Sequence, residues 1–254
     1  MSTFDRSKVK EVIRSFVQQA YAAQQKDDFY KNTLDVFSAA LTGIFKEQSW
    51  DEWVEEEKIR QVQKTLQNKV GELHQKVLAT IPDIKDLGTK QILDLESNEK
   101  KFVAEIKNKH NTTKGDHLVR VYDAIAAKLE TMPEDTIGYF VAILPPNGKK
   151  YDEEFRPSDN TKKPPKDATK EDIKTFTENV KRRPSNPRIR KIDGQTFYEK
   201  ITGNPNALRE LYLMLPALIS EVLKEESIDK SKKFEYQEFL REDEFDRIYG
   251  KKAP

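Results

Sequence analysis

Asp94, Glu105 and Lys107 are the residues of this chain whose types and spacing point most directly to chemistry. Glu105-Ile106-Lys107 closes the run Lys101-Phe-Val-Ala-Glu-Ile-Lys107, which alternates in the manner of a strand. Val103, Glu105 and Lys107 then share one face, and Phe102, Ala104 and Ile106 the other. Upstream, Gln91-Ile-Leu-Asp-Leu-Glu96 alternates as well, and the polar stretch Ser97-Asn-Glu-Lys100 between the runs reads as the turn of a β-hairpin. A turn about Glu99-Lys100 sets Asp94 opposite Glu105. Two carboxylates facing each other across a strand pair repel. A Mg²⁺ ion relieves that repulsion, because it takes one or two carboxylates and fills the rest of its shell with water and phosphate oxygens. Asp94 and Glu105 are therefore the expected metal ligands, with Lys107 beside the same phosphate. These are the parts that phosphodiester hydrolysis needs: charge stabilisation, an activated water and a cation to orient it. Alone, a Glu-x-Lys triplet is an ordinary charged strand face. An acid on the partner strand, a carboxylate on the preceding helix and an amphipathic helix directly after the hairpin set this one apart.

The elements that must position these groups can be read from periodicity. From Phe4 to Thr80 apolar residues recur at three- and four-residue spacing, as in Val9, Val12, Ile13, Phe16 and Val17, which predicts two or three helices. The last of these runs from about Trp53 to near Pro82, which cannot continue a helix, and delivers Glu72, His74 and Gln75 toward the hairpin. There Glu72 is a fourth candidate catalytic residue, to bind a second ion or a water of the first ion's shell. After the hairpin come a helix with Leu118, Val119, Tyr122, Ile125, Ala126 and Leu129 inward, and a nearly all-apolar strand over Ile137 to Leu144, a pattern typical of a strand covered on both faces. Residues 145–187 are rich in proline and charge and read as a loop-rich insertion with one short helix near 171–180. A strand at 188–193 and helices near 196–201 and 207–223 follow. The expected organisation is an N-terminal helical region (1–50), a catalytic core (51–144), a recognition insertion with C-terminal helices (145–225) and a charged tail (226–254), left open between a docked helix and a frayed end.

Composition narrows the chemistry. Lys and Arg number 45 against 44 Asp and Glu, so net charge names no partner, and only local basic clusters can argue for nucleic acid. The absence of cysteine excludes disulfides, thiol nucleophiles and cysteine-ligated zinc, and fits a reducing compartment. The three histidines, His74, His110 and His117, do not form a metal-ligand spacing. Met1 to Lys10 lacks the apolar core of a signal peptide, and no apolar run could span a bilayer. The expectation is a cytoplasmic protein with no membrane partner.

At this point the residues resemble a known superfamily, the PD-(D/E)xK nucleases, whose core runs helix, three strands, helix, strand (αβββαβ). The fold expected is thus a mixed α/β (α+β) nuclease core between an N-terminal helical region and C-terminal helices. The stretches Gln63-Lys-Thr-Leu-Gln-Asn-Lys-Val-Gly-Glu-Leu-His-Gln75, Ala104-Glu-Ile-Lys-Asn-Lys-His-Asn-Thr-Thr-Lys-Gly115 and Ile192-Asp-Gly-Gln-Thr-Phe-Tyr198 are similar to type II restriction endonucleases of the group reading GGNCC-type sites, including the narrower GGWCC form. The resemblance spans about residues 50–225. It implies Mg²⁺-dependent double-strand cleavage with 5′-phosphate and 3′-hydroxyl ends, a homodimer matched to a two-fold site, and a DNA methyltransferase as functional counterpart. The superfamily's Pro-Asp pair matches Pro82-Asp83 literally, so Asp83 competes with Asp94 for the place of the first acid.

A nuclease needs DNA contacts, and two clusters offer them. Lys109, Asn111, Thr112, Thr113 and Lys114, with His110, follow the catalytic strand and would meet phosphates beside the scissile bond. Arg188, Arg190 and Lys191 sit where the proline-rich loop enters a strand, and arginine pairs well with the O6 and N7 of guanine. A solvated basic turn accounts for them equally well. The competing function is a sequence-specific DNA-binding protein that kept this fold and lost cleavage, against which the intact Asp94, Glu105 and Lys107 argue.

Overall fold

The computed structural model describes residues 3–24, 33–88, 91–109, 115–159, 161–226 and 241–251. Three helices come first: α1 (Arg6–Gln24), α2 (Val36–Lys46) and α3 (Trp50–Leu78). The start of α3 is fixed by a reciprocal cap, in which the Ser49 hydroxyl accepts from the Glu52 N–H while the Glu52 carboxylate accepts from the Ser49 N–H at 2.8 Å. It stops at Leu78, four residues before Pro82.

The centre is a six-stranded sheet in the order β1-β2-β3-β4-β6-β5. Strands β1 (Lys85–Asp86), β2 (Leu95–Ser97) and β3 (Phe102–Lys109) pair antiparallel, whereas β4 (Ile137–Leu144) and β6 (Ile189–Asp193) continue from β3 in parallel. The parallel step from β3 to β4 is bridged by α4 (Gly115–Leu129). Over 50–144 the order is therefore α3-β1-β2-β3-α4-β4.

Strand alternation divides the core into two layers. Phe102, Ala104, Ile106, Tyr139, Val141, Ile143 and Ile192 face α1, α3, α6 (Gly194–Thr202) and α7 (Ala207–Glu225). Val103, Phe140 and Ile189 face Val121, Tyr122, Ile125 and Leu129 of α4. Helix α4 presses so closely on the sheet that a Cβ at Gly138 would lie 2.0 Å from Ile125 Cγ2, which is why position 138 has no side chain. The N-terminal helices are not alike: Phe4, Val9, Ile13 and Val17, on and just ahead of α1, belong to the main core, while α2 touches the rest through a small cluster of Ala39, Trp53 and Val54.

One feature differs from the sequence expectation, and another falls on one side of an alternative left open there. The insertion contains, besides α5 (Lys170–Phe176) and a turn of π-helix (Thr177–Lys181), an edge strand β5 (Asp152–Glu154) paired antiparallel with β6. Asp-Glu-Glu has low intrinsic strand preference, and β5 forms because its acids oppose the bases of β6. In the tail, α8 (Glu242–Tyr249) docks rather than frays, burying Phe245 and Tyr249. Arg209 of α7 holds it through Glu242 at 2.9 Å and lies 5.0 Å from the centre of the Phe245 ring. Among the described residues no helix is long and apolar enough to cross a membrane.

Candidate active site

The hairpin register is the one the turn position requires. Leu95 pairs with Ala104, Glu96 with Val103 and Ser97 with Phe102, so one further step sets Asp94 across from Glu105. Asp94 is tied to three neighbours. Its N–H donates to the Ala104 carbonyl at 2.9 Å, its carbonyl accepts from Leu87 N–H at 2.9 Å, and its Oδ2 accepts from Ile106 N–H at 2.7 Å. The last bond aims the Asp94 carboxylate at β3 between Glu105 and Lys107.

Glu105 is almost fully buried, and one of its oxygens, Oε1, pairs with Lys107 Nζ. The other, Oε2, is buried with no hydrogen-bond partner among the described residues. Burial first, and the adjacent Asp94 second, push the Glu105 carboxyl up to about 8. Burial also raises Asp94, against the opposing effects of the Ile106 N–H and Lys107. Two carboxyls in contact, one with an orphaned oxygen, must share a proton or a cation. The donor chemistry of the pair, hard carboxylate oxygens, suits Mg²⁺. Among the described residues no group of three or more His, Asp or Glu gathers to hold a metal, so the candidate set is these two acids.

Of the side chains expected from the end of helix α3, the structure brings Gln75 to the hairpin and not the candidate Glu72. Gly71 faces β3, where an added Cβ would lie 3.8 Å from Asn108 N, and Gln75, one turn on, is buried. Gln75 Nε2 donates to Asp86 Oδ1 at 2.8 Å and to the Asp94 carbonyl at 3.4 Å. Glu72 points elsewhere: it pairs with Lys69 at 2.8 Å and lines a groove with Glu11, Ser15 and Gln19 of α1. Adjacent helical positions diverge by about 100°, so the residue next to the sheet-facing Gly71 turns toward α1, and Glu72 is not brought to the acid pair.

Asp83 is also separate from the pair. It has positive φ in the turn after α3, and its carboxyl interacts with Glu99 at the far end of the hairpin. The sequence reading missed Asp86, whose carboxylate is fixed by Gln75, by Lys76 at 2.6 Å and by Gly88 N–H at 2.8 Å. Its charge opposes ionisation of Asp94. It also missed His117, in the first turn of α4, with Nε2 3.9 Å from Glu105 Oε1. The crossover from β3 to β4 returns the start of α4 over the end of β3, a placement that residue spacing alone does not give.

Of the expected DNA contacts, Lys109 lies exposed at the end of β3, on the face of Glu105 and Lys107 by alternation. Asn111, Thr112, Thr113 and Lys114, with His110, lie outside the described residues. Arg188, Arg190 and Lys191 are already engaged. Arg190 pairs with the Asp152 carboxylate and donates from Nη2 to the Asp152 carbonyl at 2.8 Å. Lys191 meets Glu153 at 2.9 Å, and Arg188 Nη1 donates to the Glu134 carbonyl at 3.2 Å. Lys191 shares the Glu105 face, with Phe140 between them in register. Strand spacing separates β6 from β3 by roughly 10 Å.

Comparison with known proteins bears on the same residues. The model of the Eco47II restriction endonuclease family matches residues 3–224, which includes the whole site. The type II restriction enzyme Eco47II of Escherichia coli is 36% identical over 200 residues, covering 78% of this chain and 76% of that protein. The type II restriction enzyme Sau96I of Staphylococcus aureus is 29% identical over 197 residues, covering 77% and 69%.

Proposed function

The chain belongs to the Eco47II restriction endonuclease family, and from that membership we propose that it is a type II restriction endonuclease cutting both strands of DNA at a GGNCC- or GGWCC-like site. The observation that carries the assignment to particular residues is the buried acid pair Asp94 and Glu105 beside Lys107. The order α3-β1-β2-β3-α4-β4 supports a PD-(D/E)xK core over 51–144, followed by a recognition region over 145–225.

In this reading Asp94 and Glu105 hold Mg²⁺. Bound there, the ion supplies Lewis acidity toward the scissile phosphate and the attacking water. The chain's own groups do the rest. Ile106 N–H fixes the Asp94 carboxylate, so that acid costs no reorganisation during the reaction. Lys107, now paired with Glu105, releases its ammonium toward the phosphate when the carboxylate takes a different partner, and either orients the water or neutralises charge on the phosphoryl oxygens. Lys109, farther along the same strand face, contacts the flanking backbone, with Asn111, Thr112, Thr113 and Lys114 in the loop beyond it. Arg188, Arg190 and Lys191 reach bases only if DNA displaces their present partners. One catalytic cluster per chain and two strands to cut call for a homodimer. A methyltransferase protecting the same site, and a cytoplasmic setting, complete the proposal.

The test is incubation of purified protein with plasmid DNA and Mg²⁺, then sequencing of the ends. Discrete fragments sharing one GGNCC-like site are expected. Absence of cutting, or random degradation, would overturn the restriction reading, and undiminished cutting by Lys107→Ala would overturn the site.

A further inference from the structure

Helix α2 is built inside out. It is well formed at both ends: Asp35 accepts from the N–H groups of Phe37 at 3.1 Å and Ser38 at 3.0 Å, and Glu47 closes it in the left-handed conformation. The side it turns to the protein carries its small residue Ala39, packed with Trp53 and Val54 of α3. Ser38, Thr42 and Lys46 line a polar groove with Glu56 and Glu57. Its bulkiest apolar side chains point outward, with Phe37 80%, Leu41 64%, Ile44 77% and Phe45 89% exposed. Their spacing of i, i+4, i+7 and i+8 makes one continuous stripe, and Val36 of the same helix is exposed as well.

A helix forms this pattern when its main apolar face is meant for something outside its own fold, since monomers rarely expose contiguous apolar patches beyond a few hundred Å². Two phenyl rings at this exposure leave roughly 300 Å² in water. With Leu41, Ile44 and Val36 the stripe reaches on the order of 600 Å² per chain. Two such faces, fully covered by each other, would bury at most about 1,200 Å², the lower edge of a specific, stable interface.

We infer that the stripe is the contact between two copies of this chain, with α2 of one protomer lying antiparallel on α2 of its partner. Leu41 is the midpoint between Phe37 and Phe45, so a two-fold axis through Leu41 sets Phe37 of each copy against the partner's Phe45, about 6 Å to either side along the helix. The contact is thus self-complementary, as a closed dimer interface has to be. It also leaves the catalytic edge clear. Helix α2 packs at Trp53 and Val54, whereas Gly71 and Gln75 of the same α3 meet the site, a separation of roughly 25 Å along the helix. The inference deepens the proposed function by naming the surface that pairs the two catalytic clusters, but its first test uses neither DNA nor metal.

Sedimentation equilibrium of the full chain in chelator at micromolar concentration should give twice the mass of one chain. Leu41→Glu and Phe45→Asp should each give the mass of one chain, with unchanged circular dichroism because both side chains are exposed in the single chain, and with a melting temperature that no longer rises with protein concentration. Since the chain has no cysteine, Leu41→Cys places one thiol at the proposed axis, and mild oxidation should cross-link it into a covalent dimer. On a one-site supercoiled plasmid the single-mass variants should accumulate nicked circles and produce linear DNA at least tenfold more slowly than the parent. A parent chain of single mass, whether from an uncovered stripe or one covered by another part of the same chain, would overturn the inference. So would charged variants that keep the double mass, or a Leu41→Cys protein that stays uncross-linked. An inert plasmid assay would bear on the nuclease reading and leave the mass measurements standing.

Discussion

Replacing the buried Glu105 by glutamine should abolish cleavage and, in the absence of metal, make the protein more stable. The Glu105 carboxyl moves from an ordinary 4.5 to about 8 on folding, driven by burial and then by Asp94. An acid raised in this way binds its proton more tightly when folded. Stability is therefore fullest below about pH 4.5 and falls by about 1.4 kcal/mol per pH unit as the unfolded chain, but not the folded one, ionises. The loss ends near pH 8, where the folded carboxyl ionises too. Integrated over that window the cost is on the order of 4–5 kcal/mol. Glutamine carries no charge and avoids it; the contact with Lys107 is already counted in that cost, because it holds the Glu105 carboxyl below where burial and Asp94 alone would put it.

Glu105→Gln should therefore exceed the parent by roughly 4–5 kcal/mol at pH 8–9 in chelator, an increase in melting temperature of about 10–15 °C for a chain of this size. The two should converge by pH 5. Adding Mg²⁺ should narrow the gap from the parent's side, because an ion bound only by the folded state at a hundred times its dissociation constant stabilises by about 2.7 kcal/mol. Thermal melts of both proteins across pH 5–9, with chelator and with Mg²⁺, measure all of this. A variant no more stable than the parent at pH 8–9, or a gap that does not widen with pH, would refute the account of Glu105 as a carboxyl held in unfavourable proximity to Asp94.

Other perturbations follow from the same geometry. Lys107→Ala should lower the single-turnover cleavage rate by about 10²–10³-fold while leaving DNA affinity within a few-fold, as loss of one charge-stabilising donor does. Gln75→Ala removes the bonds that tie Asp86 to the Asp94 carbonyl. It should lower kcat by about tenfold with little change in KM, and Gln75→Glu, which cannot donate, should not rescue it. Lys109→Ala should weaken DNA binding equally on cognate and non-cognate sequences and reduce the salt slope of binding by about 1. Gly138→Ala drives a methyl group into Ile125 and should cost about 1–3 kcal/mol in chemical denaturation.

What could be read in the sequence was whatever depends on period and on turn position. Alternation over 101–107 with a turn at 99–100 sets Asp94 opposite Glu105 by counting alone, and the pairing of Leu95 with Ala104 agrees. The all-apolar run of β4 lies, as its pattern implies, in the middle of the sheet. Expectations failed where a residue's surroundings come from an element distant in sequence. The face of α3 toward β3 is set by crossing geometry, and a shift of one residue gives the site Gln75 and sends Glu72 to α1. Arg190 and Lys191 looked available because the acidic β5 that neutralises them has no strand signature of its own. His117 reaches Glu105 only through the crossover that brings α4 back over β3.

The inverted face of α2 joins these points into one picture of the molecule. Helix α3 runs 29 residues, about 43 Å, and each end has a separate task. Its capped N-terminal turns hold α2 and so, on the inference above, the partner chain, while its C-terminal turns hold Asp86 and Asp94 through Gln75. A helix of this length braced along one side by α1 is stiff, so it sets the distance between dimer contact and acid pair as a fixed length. Two chains joined at α2 then carry their acid pairs at a spacing set by covalent geometry and packing. An enzyme that cuts two strands at one site needs such a spacing, because scissile phosphates lie a fixed distance apart on the duplex. The exposed apolar stripe of α2 and the buried acid pair thus lie toward opposite ends of one helix, each unfavourable in the isolated, metal-free chain, and on the proposed reading the first is relieved by a second chain and the other by a metal ion.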